Sequence, residues 1–170
     1  MVDLRLPCLV DTNVGVAANS QSDASEECDL ACIQTLREIT ERGHLVLDDI
    51  GLIFDEYRRN MSLRGQPGVG DAFMMWVMNN QYNEERCTRV PITPDNGSFN
   101  EFPEDEALHN FDPSDRKFVA VAVAHGQNPP ILVACDTDFW NARDDLAAAG
   151  IQVEFLCPVD IQAMAERHGA

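Results

Sequence analysis

Apolar and polar positions fall in short blocks that switch repeatedly between strand-like and helix-like spacing. Residues 6–10 are a compact apolar run closing on Asp11, which predicts a short buried strand. Residues 19–25 are loop-like, and Asp23 with Glu26 three positions later fits a capping box that opens a helix over 24–42. Cys28, Cys32, Leu36 and Ile39 share one stripe of that helix, and Gly43 stops it. A second strand is predicted over 44–47. Asp48 or Asp49 then caps a helix on which Ile50, Ile53, Phe54, Tyr57 and Met61 recur at helical spacing, reaching residue 63.

Residues 65–70 are rich in Gly and Pro and superficially resemble a phosphate-binding loop. Asp71-Ala72 stands where Lys-Ser/Thr would be needed, so they are predicted to be a plain loop. A helix over 71–81 carries Phe73, Met74, Met75, Trp76 and Met78, a stripe that suits core or a subunit contact. Residues 88–93 suit an edge strand, where Pro91 is tolerated. After a loop over 94–102, an acidic patch at 101–106 opens a short helix, and Ser114 is placed to cap a helix over 115–125. A buried strand over 131–134, a helix over 139–149 closed by Gly150, a strand over 152–156 and a helix over 158–168 complete the pattern. Strands alternating with helices predict an α/β fold, a three-layer α/β/α sandwich on a mainly parallel central sheet. At 170 residues the expectation is one domain, 1–170, with a longer connecting segment at about 61–106.

A hydrophobic fraction of 45% reads as a soluble globular protein. No apolar run approaches the ~18 residues a transmembrane helix needs, so no membrane partner is expected. Residues 1–10 do not have the make-up of a secretory signal, and cytoplasmic residence is the default expectation. None of the six cysteines forms a Cys-x-x-Cys pair, so spacing offers no zinc signature, and buried reduced thiols are expected. The charge of −17, with 12 Lys and Arg against 29 acids, opposes tight binding to nucleic acid through a basic surface.

The candidate chemistry lies in four carboxylate segments: Leu9-Val10-Asp11-Thr12-Asn13, Phe54-Asp55-Glu56-Tyr57, Asp112-Pro113-Ser114-Asp115-Arg116, and Val133-Ala134-Cys135-Asp136-Thr137-Asp138-Phe139. Two place an acid just after a strand-like run and two place it on a helical stretch. In an open parallel sheet, the carboxyl ends of strands gather along one edge, where ligands bind. Acids converging there make an oxygen-lined pocket suited to Mg2+ or Mn2+.

In order and flanks these segments resemble the PIN-domain family of nucleases. The matching positions are Asp11-Thr12-Asn13, Glu56 on the second predicted helix, Asp115 with the alanine-rich stretch behind it, and Asp136 with Asp138. The resemblance covers most of the chain and is weakest between about Met61 and Glu106. It implies a metal-dependent endoribonuclease in which Asp11, Glu56, Asp115 and Asp136 are catalytic and, with Asp138, hold Mg2+ or Mn2+. Single-stranded RNA is the implied substrate. A toxin role with a partner antitoxin and self-association are further implications.

Each residue also has a plainer reading. Asp11 suits a turn or helix cap, Glu56 a solvated helix face, and Asp115 a helix start favoured by the dipole. Thr12 and Asn13 are expected to support the site, Asn13 by orienting Asp11 or the backbone. Of Asp136 and Asp138, one is expected to reach the metal and the other to cap the next helix, with Asp136 the chosen ligand. Arg58, Arg59 and Arg64 are candidate phosphate contacts, or simply a solvated basic helix end. Two other functions remain open: a PIN-fold binding or regulatory module with little activity, and a haloacid dehalogenase-type phosphatase. The latter is weakened by Asn13 in place of a second Asp, although Lys117 could supply its lysine.

Overall fold

The computed structural model describes residues 2–169. In chain order the elements are β1 (Pro7–Val10), α1 (Thr12–Ala18), α2 (Glu26–Arg42), β2 (His44–Asp48), α3 (Leu52–Asn60), α4 (Val69–Asn80) and β3 (Cys87–Val90). A two-strand hairpin follows, β4 (Pro94–Asp95) and β5 (Ser98–Phe99), and then a 3-10 turn over Glu106–Leu108. The last third comprises α5 (Arg116–His125), β6 (Ile131–Val133), α6 (Thr137–Asn141), α7 (Arg143–Ala148), β7 (Val153–Phe155) and α8 (Pro158–His168).

Five strands form one sheet in the order β3-β2-β1-β6-β7, and every neighbouring pair is parallel. Helices flank it, giving the expected three-layer α/β/α arrangement. Parallel strands covered by helices are apolar throughout, and Leu45, Val46, Ile131, Leu132 and Val133 are fully shut from water. From β1 the chain steps outward to β2 and β3, then returns to the other side of β1 to lay down β6 and β7. The carboxyl ends of β1 and β6 therefore flank a topological switch point, the place in an open α/β sheet where a crevice forms.

Several local expectations need correction. Helix α1 went unpredicted: it starts directly after Asp11, and seven residues with Gly15 inside give little helical periodicity. Ser25, not Asp23, caps α2, its side chain accepting from the Cys28 N–H at 3.2 Å. Ser114 is no cap; its hydroxyl donates to Asp112. Helix α3 ends at Asn60, short of 63, and its first turn is held by Asp48, whose two oxygens accept from the N–H groups of Leu52 and Ile53 at 2.8 Å each. The loop predicted over 94–102 contains the hairpin, turned by Asn96 and Gly97, both at positive φ (48° and 78°). Asn-Gly is the residue pair such a turn demands. The helix predicted over 139–149 is two short helices meeting at Ala142.

The expectation of reduced thiols fails for one pair of cysteines. Cys28 and Cys157 are joined by a disulfide, while Cys8, Cys32, Cys87 and Cys135 are free. Periodicity placed Cys28 correctly on a buried face but could not reveal a partner 129 positions away.

Within the segment at 61–106, α4 packs closely against α1. Gly70 of α4 lies so close to Gly15 of α1 that a Cβ there would sit 2.0 Å from the Gly15 carbonyl oxygen. Asn19 and Asp71 lock the same contact: Asn19 Nδ2 donates to Asp71 Oδ1, and the Asp71 N–H donates to Asn19 Oδ1, both at 3.0 Å. Helix α4 is thereby pinned to α1, the helix that begins at Asp11.

Candidate metal centre

The four acidic segments meet at the switch point. Asp11 stands at the N-cap of α1, immediately beyond β1, and Asp136 at the N-cap of α6, after Ala134 and Cys135 lead out of β6. Register sets the ends of β1 and β6 side by side, since Val10 pairs with Leu132 and the Asp11 N–H donates to the Leu132 carbonyl at 2.9 Å. Asp115 arrives from the start of α5, a helix anchored by the buried run from Phe118 to Ala122. It occupies the N-cap position yet makes no side-chain capping bond, so its carboxylate is left for the cleft. Helix α3 brings Glu56, and the Tyr57 hydroxyl beside it donates to the Val10 carbonyl at the end of β1.

These groups line an open cleft of about 320 Å³ together with Thr12, Asn13, Arg59, Asn60, Asp112, Ser114 and Asp138. Carboxylate oxygens of Asp11, Asp115 and Asp136 all lie within 4.8 Å of one another, as do those of Asp112, Asp115 and Asp138. Asp115 belongs to both groups. A larger cavity of about 540 Å³ lies between α2 and α4, lined by Leu36, Phe73, Met75 and Trp76 among others. It holds no carboxylate, imidazole or thiol, so size is a poor guide to where the chemistry lies here.

Hydrogen bonds sort the cleft residues into holders and held. Asn13 Nδ2 donates to Asp136 Oδ2 at 3.1 Å, and the Asn13 N–H donates to Asp11 Oδ2 at 3.2 Å, so one residue orients two acids. Asp136 Oδ1 accepts from the N–H groups of Asp138 and Phe139 at 2.8 and 3.1 Å. Capping and cluster membership therefore fall on the same residue, not on Asp136 and Asp138 separately. Glu56 belongs to neither oxygen group: Lys117 Nζ donates to its Oε1 at 2.9 Å, and the Thr12 hydroxyl donates to its Oε2. Its pairing with Lys117 and its place outside both oxygen groups make it an anchor on the cleft wall. Of the arginines, Arg59 lines the cleft, whereas Arg58 pairs with Asp55 at 3.4 Å in solvent, and Arg64 lies outside the cleft lining.

Crowding shapes the protonation of these acids. Burial, then Asp136, Asp115 and Glu56, raise the Asp11 carboxyl well above its ordinary range. Burial, followed by Asp136, Asp112 and Glu56, pushes Asp115 up to about 8, with Lys117 opposing. Burial also raises Asp136 and Asp138. Asp112 moves the other way, lowered first by the Ser114 N–H. Such a cluster retains protons near neutrality unless a cation replaces them. All-carboxylate donors suit a hard divalent cation such as Mg2+ or Mn2+.

Sequence reasoning named Lys117 only for the phosphatase alternative and missed Asp112, Asn60 and Ser114 as cleft residues. Lys117 is the lone lysine of the chain and is only 8% exposed, on a helix whose next five residues are apolar. A cation in that setting needs a buried anion, and this was the available signal. Among the described residues, no helix is long and apolar enough to cross a membrane. No family model, curated protein or solved structure matches the chain.

Proposed function

We propose that this chain is a Mg2+- or Mn2+-dependent nuclease of the PIN type, hydrolysing phosphodiester bonds of single-stranded RNA. The observation that carries the reading is the convergence of Asp11, Asp115 and Asp136 within 4.8 Å at the switch point. These three would hold the ion, and a second ion would share Asp115 with Asp112 and Asp138. When bound, the cation acidifies a water and neutralises charge on the phosphate oxygens. Asn13 fixes the directions of Asp11 and Asp136. Thr12 and Lys117 hold Glu56, whose charge adds to the field that attracts the cation. Arg59 is the cationic side chain on the cleft wall and is placed to meet a phosphate.

The charge of −17 favours a second reading, a module of the same fold that binds metal and a protein partner but turns over little RNA. A chelator-controlled cleavage assay with Mn2+ separates the two, with Asp115→Asn purified in parallel. Under the nuclease reading, chelation removes cleavage of single-stranded RNA and Asp115→Asn lowers it about a hundredfold or more, the worth of one group aimed at transition-state charge. Equal cleavage by both preparations identifies a contaminant and removes the nuclease reading. Stabilisation by Mn2+ without cleavage selects the module.

A further inference from the structure

Four of the six cysteines gather on the far side of the β6 end from the acids. Cys28 and Cys32 lie on the first two turns of α2, Cys135 directly precedes Asp136, and Cys157 sits at the N-cap of α8. Cys28 Sγ is 3.9 Å from Cys135 Sγ, and Cys32 Sγ is 4.0 Å from Cys157 Sγ. The sulfurs of Cys28, Cys32 and Cys157 all fall within 4.8 Å of one another. A tetrahedral Zn2+ with four thiolates at ~2.3 Å sets its sulfurs ~3.8 Å apart. We propose that Cys28, Cys32, Cys135 and Cys157 form a closed tetrathiolate site for one Zn2+ ion in the reduced chain. The Cys28–Cys157 disulfide is the competing use of two of the same sulfurs, so the two forms exclude each other.

The surroundings fit a cation enclosed by thiolates. Cys28, Cys32 and Cys157 are buried, and Cys135 alone is half-exposed. The N-terminal ends of α2 and α8, helices of 17 and 11 residues, both arrive at the cluster and favour negative charge on sulfur. Asp29 has a carboxylate oxygen shut off from solvent with no hydrogen-bond partner, a buried acceptor lacking positive charge. Burial first, then Cys135, Asp29 and Asp160, push the Cys32 thiol up to about 12, so only a displacing cation would ionise it near neutrality. Asp160 also brings a carboxylate oxygen within 4.8 Å of the Cys28 and Cys135 sulfurs, and its two oxygens are held by Ser25 N–H and Ser25 Oγ at 2.7 and 2.9 Å. Soft thiolates select Zn2+ over the hard ions suited to the carboxylate cleft. The bound ion would tie the start of α2 to the turn that carries Asp136 and to the start of α8.

The test reads sulfur ligation directly. Full-length protein, reduced with a phosphine and freed of small molecules without air, is assayed for zinc by mass spectrometry and loaded with Co2+ for absorption. The expected result is one zinc per chain and the intense thiolate-to-cobalt band of a tetrahedral sulfur site. Cys32→Ser and Cys135→Ser should each lose that band, while Cys87→Ser, a buried cysteine outside the cluster, keeps it. Zinc held only by the acids gives no thiolate band and overturns the proposal. So does reduced wild-type protein that takes up no zinc, or a band that survives both cluster variants. Cys135→Ser alters a half-exposed side chain, and the wild-type measurement stands even if Cys32→Ser fails to fold.

Discussion

Cys135 and Asp136 are neighbours in the chain and belong to opposite chemistries. Asp136 faces an open cleft of carboxylates at the β1–β6 switch point. Cys135 faces a mostly buried cluster of sulfurs bounded by α2 and α8. One turn after one strand thus presents a carboxylate to an open cleft and a thiol to a mostly buried group of sulfurs. The contrast is also electrostatic. The acids repel one another across the cleft and are balanced by Lys117, whereas the sulfurs can stay neutral as thiols or be joined as a disulfide. The first site should therefore respond to charge and pH, and the second to redox state and soft metals.

The largest effect expected from this contrast concerns Lys117. Lys117→Met removes the cation from a pair whose side chains are 10% and 18% exposed, leaving Glu56 among the other acids. Stability should fall by about 3 kcal/mol, the usual cost of orphaning a buried ion. Denaturant unfolding measures it, and adding Glu56→Gln should recover part of the loss. A near-neutral Lys117→Met would mean that the carboxylates are not crowded in solution.

Next in size is the pH dependence of the metal-free protein. Burial, with the neighbouring acids, pushes Asp115 up to about 8 in the folded chain against an ordinary 3.8, and Asp11, Asp136 and Asp138 are shifted in the same direction. Between those limits the folded state binds more protons than the unfolded one, so this contribution is complete below about pH 4 and is lost as pH rises towards 8. His125, lowered by burial, acts in the opposite sense below the ordinary imidazole value of 6.5. Thermal melts in chelator should fall by about 5 °C or more from pH 5 to pH 8, at roughly 2–4 °C per kcal/mol. Asp115→Asn should flatten that slope and raise the metal-free melting temperature at pH 8. An unchanged slope in the variant would remove Asp115 from the cluster's titration.

The smallest effect concerns substrate contact. Arg59→Ala should weaken RNA binding several-fold and reduce its salt dependence by about one counterion, whereas Arg58→Ala should do neither. Filter binding across a salt series decides it. Equal losses in the two variants would point to a diffuse field instead of a cleft contact.

Legibility from sequence followed the range of the interactions. Strands β1, β2 and β6 and helices α2, α4 and α8 were readable because apolar periodicity and end signals are local. The hairpin at Asn96-Gly97 was equally local and was overlooked because its flanking strands are two residues each. Asp11, Glu56, Asp115 and Asp136 were named as candidates because each follows a recognisable strand or lies on a recognisable helix. Their unequal standing was hidden: Glu56 is held by Thr12 and Lys117 outside both oxygen groups, and Asp136 both caps α6 and enters the cluster.

Alone, the amino-acid order determined the alternation of strands and helices, the apolar interior and the excess of acid, since each depends on neighbours within a few residues. Tertiary structure decided which side chains share a space. The strand order that puts β6 beside β1 brings Asp136 to Asp11 across 125 positions, and the same turn carries Cys135 to Cys28. No periodicity encodes those meetings, because they arise from how a parallel sheet is wound and covered, not from the spacing of residues along one segment.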